Sequence, residues 1–187
     1  MVSIASLWLP VLLSAVIVFV ASSLLHMVLP YHRSDFGKLP AENEVLDALR
    51  KFNLPPGDYM VPRPAGPDDM KSAEYKDKIM KGPVIVMTVM KPGQMGIGTN
   101  LIQWFIFCVI VSGIAAYIAG RALTPGAPYL HAFRFAGCTA FVGYAVAEWP
   151  QSIWYKRKWS TTIKSTIDGL IYGLLTGGTF GWLWPKA

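Results

Sequence analysis

A chain of 187 residues with 53% apolar and only 15% charged side chains, and a mean hydropathy of +0.39, lacks the composition of a soluble domain, where about a quarter of residues carry charge. Its formal net charge of +6 does not mark a nucleic-acid binder. The basic residues lie in connections beside long apolar runs, where they set membrane orientation, and not on a face interleaved with aromatic platforms. The two cysteines, Cys108 and Cys138, fall inside apolar runs and outside any Cys/His cluster. They support neither a disulfide framework nor a zinc site, and read as buried thiols packing as small apolar groups.

The first apolar run extends from Leu9 to Leu29. Pro10 suits a first helical turn, where its missing N–H would be unpaired anyway, and Pro30 stops the run. About 20 residues at 1.5 Å each give roughly 30 Å, enough to cross the hydrocarbon. No Lys or Arg precedes the run, so the basic start of a cleaved signal peptide is missing and a retained span is expected.

Residues 31–100 form the one sizeable polar section, read as a small α+β insertion. Helices are predicted over Ala41–Phe52, with Val45, Leu46, Leu49 and Phe52 as an apolar stripe, and over Asp68–Lys81. The proline-rich stretch between them reads as extended chain and turns. Val84–Met90, rich in β-branched residues, is predicted as a strand paired with Tyr59–Val61. At about 70 residues the insertion is marginal as an independent domain and is expected to lean on the membrane helices or on a partner. Gly93-x-x-Gly-x-Gly98 fails as a phosphate loop, because no Lys-Ser/Thr follows it.

Three further spans are predicted over residues 101–120, 129–149 and 165–184. They are separated by the turn Thr124–Pro128 and by a basic connection from Gln151 to Lys164 that follows Pro150. The fold class is therefore an all-α membrane protein of four transmembrane helices carrying the insertion between the first and second. Ten Lys/Arg lie in 31–100 and four in 151–164. The positive-inside rule puts both connections in the cytoplasm and both termini in the periplasm.

The sharpest local pattern is on the fourth span. Ser165, Gly169, Gly173, Gly177 and Gly181 recur every four residues, which sets them on one helix face as a groove nearly free of side chains. Each glycine costs roughly 1 kcal/mol of helix propensity against alanine, so close packing of another helix is expected to offset it. Two rows of small residues are candidates: Cys108/Ser112/Ala116/Gly120 and Ala132/Ala136/Ala140. A second subunit, including a second copy of the chain, is the alternative occupant.

Ionisable residues inside spans are costly and often functional. His26, Glu148 and Asp168 all fall toward the inner leaflet, where they could form a proton or cation site. Against that, each is close enough to a helix end to snorkel or pair. Asp168 has Lys164 four residues before it and sits toward a positive helix N-terminus. No cofactor is expected beyond lipid. His26 is the one candidate axial ligand for a haem or chlorophyll-type pigment, and it lacks a paired histidine at matching depth. His32 and His131 are expected at solvated interfaces. No nucleophile elbow, zinc-protease motif or carboxylate pair is present.

The opening VSIASLWLPVLLSAVIVFVASSLLHMVLPYHRSD and the closing TIKSTIDGLIYGLLTGGTFGWLWP resemble a group of bacterial inner-membrane proteins of about this length. The resemblance covers most of the chain. It implies a bacterial plasma-membrane location and carries over no activity and no catalytic residues. The leading expectation is a non-enzymatic accessory subunit of a larger membrane complex, photosynthetic or respiratory, with lipids and other membrane subunits as partners. A small transporter or channel with an inner-leaflet polar site is the alternative, and a membrane enzyme the second. The topology is tested by cysteine labelling: Ser72→Cys is expected to react only from the cytoplasm and Ala187→Cys only from outside. Reaction of both from one face would refute four spans.

Overall fold

The computed structural model describes residues 1–93 and 96–187; Gln94 and Met95 of the glycine-rich stretch lie outside the described residues. In chain order the helices are α1 (Trp8–Ser23), α2 (Glu42–Arg50), α3 (Ala73–Lys81), α4 (Ile97–Ala122), α5 (Tyr129–Ala145), α6 (Trp149–Tyr155) and α7 (Trp159–Trp182). The strands are β1 (Gly57–Val61) and β2 (Ile85–Val89). The chain divides into two compact units, Met1–Gly37 with Gly96–Ala187, and Lys38–Met95.

Three helical stretches of the first unit are long and apolar enough to cross a membrane: Ile4–Val28, Ile97–Ala122 and Tyr129–Tyr155. The fourth helix, α7, has 24 residues but is not among them, since its sequence is rich in glycine and threonine and carries Lys164 and Asp168. Two predicted boundaries move. Pro150 does not close the third helix; it occupies the first turn of α6, where its missing N–H costs nothing, and helix continues to Tyr155. The basic connection shrinks accordingly. Lys156 turns the chain with φ 58°, and α7 begins at Trp159 instead of Ser165.

Packing of α1 on α4 and α7, and of α5 on α4 and α7, makes a ring of four helices in which sequence neighbours are adjacent. The bundle is built inside out relative to a soluble protein. Ser14, Ala15, Cys108, Ser112, Ala116, Ala136 and Ala140 are buried, while Ile102, Ile106, Ile110, Ile114 and Ile118 form an exposed row along α4. Lipid tails are as apolar as isoleucine, so burying large aliphatic groups yields little; close backbone approach between small residues yields more.

That approach is tightest between α5 and α7. A Cβ added at Gly173 would lie 2.9 Å from the Gly137 carbonyl oxygen, and one at Gly177 2.7 Å from that of Phe133. At Gly169 it would meet the Ala145 Cβ at 2.6 Å, and at Gly181 the Tyr129 ring at 2.6 Å. The glycine row is therefore filled within the chain, by the row Tyr129/Phe133/Gly137/Phe141/Ala145. Ser165, at its start, is partly buried and donates its hydroxyl to the Thr161 carbonyl at 3.1 Å. The Ala132/Ala136/Ala140 row expected to fill the groove instead faces the bundle interior, one residue and about 100° round the helix. The Cys108/Ser112/Ala116/Gly120 row packs on α1 and the segment before it: Val2 N–H donates to the Gly120 carbonyl at 2.8 Å, and the Ser14 and Ser112 hydroxyls meet at 3.0 Å. Cys108 is buried but Cys138 is exposed, so only one thiol packs as expected.

In the second unit β1 and β2 pair antiparallel, with Gly57 opposite Val89 and Val61 opposite Ile85. The predicted helix Asp68–Lys81 breaks at Ser72. That residue is extended and caps α3 by accepting the Tyr75 N–H on its hydroxyl at 3.0 Å. None of the described residues in this unit is buried. Leu46, Leu49, Phe52, Met60, Val61, Ile85 and Val86 all stay exposed, and an isolated two-stranded sheet is marginal in water.

Because Gly173 meets backbone on α5, Gly173→Leu is expected to destabilise the fold by about 1–3 kcal/mol or more. Leu174→Ala, on the exposed side of α7, is expected to do much less. Unfolding in mixed detergent micelles measures both, and equal stabilities would contradict the α5–α7 contact.

Candidate functional site

One residue round α7 from the glycine row lies a second row: Lys164, Asp168, Tyr172, Thr176 and Phe180. The last four are buried, Asp168 with 3% exposure. The glycine contact with α5 thus turns a lysine, a carboxylate and two hydroxyls into the bundle.

The groups that meet the lower part of this row come from the end of α1. Helix there widens into one π turn, Leu24–Val28, closed by Leu29 N–H to the Leu24 carbonyl at 3.1 Å. Such turns recur at functional sites, and this one carries His26. Pro30 then begins a single 3-10 turn, Pro30–His32. Its bonds from Arg33 N–H to the Pro30 carbonyl at 3.1 Å and from Asp35 N–H to the His32 carbonyl at 3.0 Å fold the chain back. Tyr31, His32, Ser34 and Asp35 consequently reach α7.

Lys164 is satisfied by that fold-back. Its ammonium donates to the Tyr31 carbonyl at 2.7 Å, the Ser34 hydroxyl at 2.8 Å and Asp35 Oδ1 at 2.8 Å, using all three of its donors. It also lies 5.3 Å from the centre of the Tyr31 ring, within cation–π range. Burial pushes the Asp35 carboxyl upward. The hydrogen bonds from Lys164 and His32, with the charges of both, outweigh it and hold the group below its ordinary value. Tyr31 moves upward, through burial first and then the Asp168 and Asp35 carboxylates.

His32 joins the two carboxylates. Its Nδ1 lies 2.7 Å from Asp35 Oδ2 and its Nε2 lies 2.9 Å from Asp168 Oδ2. An ionised carboxylate only accepts, so the proton between His32 and Asp35 sits on Nδ1. The second contact is short but misaligned: among the described residues His32 Nε2 and both Asp168 oxygens are buried without a hydrogen-bond partner. The His26 ring stands perpendicular to that of His32 with centres 4.1 Å apart. One ligand atom each from His26, His32 and Asp168 fall within 4.8 Å of one another. His26 also lines a groove of about 250 Å³ between α1 and α4, beside Ser22, Asn100 and Trp104.

Of the three residues expected to share a polar site, His26 and Asp168 are brought together and Glu148 is not. It sits on the 3-10 turn Val146–Glu148 and pairs with Arg157 at 3.2 Å, both groups exposed. Two further expectations for Asp168 fail. Lys164 is taken by Asp35, and because α7 starts at Trp159, Asp168 lies about 14 Å along the helix, beyond the reach of its N-terminal dipole. His32, expected in solvent, is central, while His131 is exposed. Asp35 sits in a polar segment where a carboxylate gives no signal of its own. The readable signal was the Lys164/Asp168/Tyr172/Thr176 row, together with the polar segment directly after Pro30.

Further along the axis the bundle holds Ser14, Ser112, Tyr144, Tyr172 and Thr176, all buried. Tyr144 OH, Tyr172 OH and Thr176 Oγ1 have no partner among the described residues.

The Lys164–Asp35 pair, with side chains 17% and 10% exposed, is expected to support the fold. Lys164→Ala leaves Asp35 buried without its cation and is expected to cost about 2–4 kcal/mol, somewhat below a fully buried pair. Lys186→Ala, at the exposed terminus, is the control in the same micellar unfolding assay; equal losses would remove the pair from the account. Comparison with protein-family models, with curated proteins and with solved structures gives no match, so the functional reading rests on this geometry.

Proposed function

We propose that this chain is a small cation-transporting membrane protein, with its cation site where α1, its fold-back and α7 meet. The observation that carries the reading is Asp168: a carboxylate within a membrane bundle, 3% exposed, with neither oxygen hydrogen-bonded. Groups of this kind in membrane spans mark ion pathways. Charge bookkeeping fits it. Lys164 neutralises Asp35, so with both imidazoles neutral Asp168 is the one charge of the cluster that a cation would balance. The unpartnered hydroxyls of Tyr172, Tyr144 and Thr176 supply oxygen groups along the axis beyond it. In this reading α7 is the fourth span. The basic connections face the cytoplasm, the termini face the periplasm, and the membrane is the bacterial plasma membrane that the resemblance of the two ends implies.

The accessory-subunit reading loses the glycine groove, which α5 fills, but keeps one observation of its own. The Lys38–Met95 unit leaves Leu46, Leu49, Phe52 and Val86 uncovered, as a segment that docks on another subunit would.

The two readings separate on purified protein reconstituted in liposomes. Transport predicts cation-dependent signals above those of protein-free vesicles, from trapped reporters of sodium, potassium and divalent ions. Asp168→Asn should abolish them while the protein stays monodisperse. A wild-type signal no greater than that of empty vesicles would sink the transport reading.

A further inference from the structure

We infer that His26, His32 and Asp168 form a binding site for a divalent transition-metal ion, with Asp35 as the outer carboxylate that orients His32. The inference deepens the transport reading, since it names the class of cation that the site receives.

Donor chemistry comes first. Two imidazoles and one carboxylate suit zinc, iron(II), manganese or cobalt, and three protein ligands leave positions open for water or an exchanging ligand. Metal–ligand bonds of about 2.1 Å put adjacent ligand atoms roughly 3.0–3.4 Å apart. His32 Nε2 and Asp168 Oδ2, at 2.9 Å, are already close to one such edge. The His26 nitrogen lies within 4.8 Å of both, and its exposed ring packs edge-on against that of His32.

The tautomer is the second argument. Nδ1 of His32 donates to Asp35 at 2.7 Å, so the neutral ring that a metal needs carries its lone pair on Nε2, 2.9 Å from a carboxylate oxygen. Two acceptors that close repel unless a cation lies against both. A proton on Nε2 would serve only along the N–H direction, and that direction misses the carboxylate, because neither atom is hydrogen-bonded. A metal ion beside the pair meets both lone pairs without that alignment.

The third argument is the outer shell. A histidine that binds metal through one nitrogen generally donates the other to a carboxylate, which fixes ring and tautomer. Asp35 does this for His32, and Lys164 and Ser34 hold Asp35 and its loop in turn. A groove of about 250 Å³ opens beside His26, the outermost of the three ligands.

The test uses the full chain, purified in detergent and stripped with a chelator, with zinc and cobalt as probes. One zinc per chain is expected by calorimetry, and cobalt should give a visible ligand-field spectrum. His26→Gln, His32→Gln and Asp168→Asn should each abolish both signals. Asp35→Asn should weaken zinc about tenfold to a hundredfold, and His131→Gln should change nothing. Should the ligand variants fail to fold, the wild type still decides. Zinc must protect His26 and His32, but not His131, from an imidazole-acylating reagent read by mass spectrometry. No binding, no selective protection, or binding that survives Asp168→Asn would overturn the metal site. Transport without metal binding would overturn this inference alone, whereas metal binding without transport would overturn only the transport reading.

Discussion

The contact between α5 and α7 fixes everything that follows in this bundle. Helices in lipid gain little by burying large apolar groups, so two of them stay together only where their backbones come close. Gly173 against the Gly137 carbonyl and Gly177 against that of Phe133 provide such places. Because a side chain at any of these positions would strike backbone or a packed neighbour, α7 has one rotational setting against α5. A helix advances about 100° per residue, so that setting also decides where the next row points. Lys164, Asp168, Tyr172 and Thr176 are polar residues in the bundle interior because their neighbours are glycines on the α5 side.

The two rows explain each other energetically. A helix bearing Gly169, Gly173, Gly177 and Gly181 is a poor helix by propensity alone, and one bearing Asp168 at depth is a poor membrane span. The tight α5 contact offsets the first cost. The fold-back of residues 30–35 offsets part of the second by bringing His32 beside Asp168, and it gives Lys164 a partner of its own in Asp35. In the transport reading proposed above, with both imidazoles neutral, the charge left at Asp168 is the one that a bound cation would balance.

Much of this architecture was legible in the residues. Long apolar runs bounded by Pro10, Pro30 and the Thr124–Pro128 turn mark helices because the bilayer demands length and internal hydrogen bonding. The glycine row announced a close contact because nothing else compensates it. Legibility failed where a rule had two outcomes. Pro150 could end a helix or begin one, and it begins α6. Ala132, Ala136 and Ala140 matched the spacing of a contact surface, but so did Tyr129, Phe133, Gly137, Phe141 and Ala145, and periodicity does not say which row faces which helix. The site was half legible for a related reason. His26 and Asp168 stand out as ionisable groups in apolar runs, whereas His32 and Asp35 sit in a polar segment where charge is ordinary. Only the reversal of the chain at Pro30 gives them a role, and reversal direction is a three-dimensional property.

The position of Lys164 carries the argument one step further. Four residues before Asp168, it stands where a helix would most simply neutralise that carboxylate. It instead spends its three donors on Tyr31, Ser34 and Asp35. Had it turned to Asp168, the cluster would be a closed ion pair with His32 hydrogen-bonded to a spare carboxylate, a purely structural arrangement. By holding Asp35, it converts that residue into an acceptor that sets the His32 tautomer, and it leaves Asp168 available. The same cation therefore ties the fold-back to α7 and leaves His32, not itself, as the neighbour of the inner carboxylate. In the transport reading proposed above, that division of partners makes Asp168 the group that an incoming cation would meet.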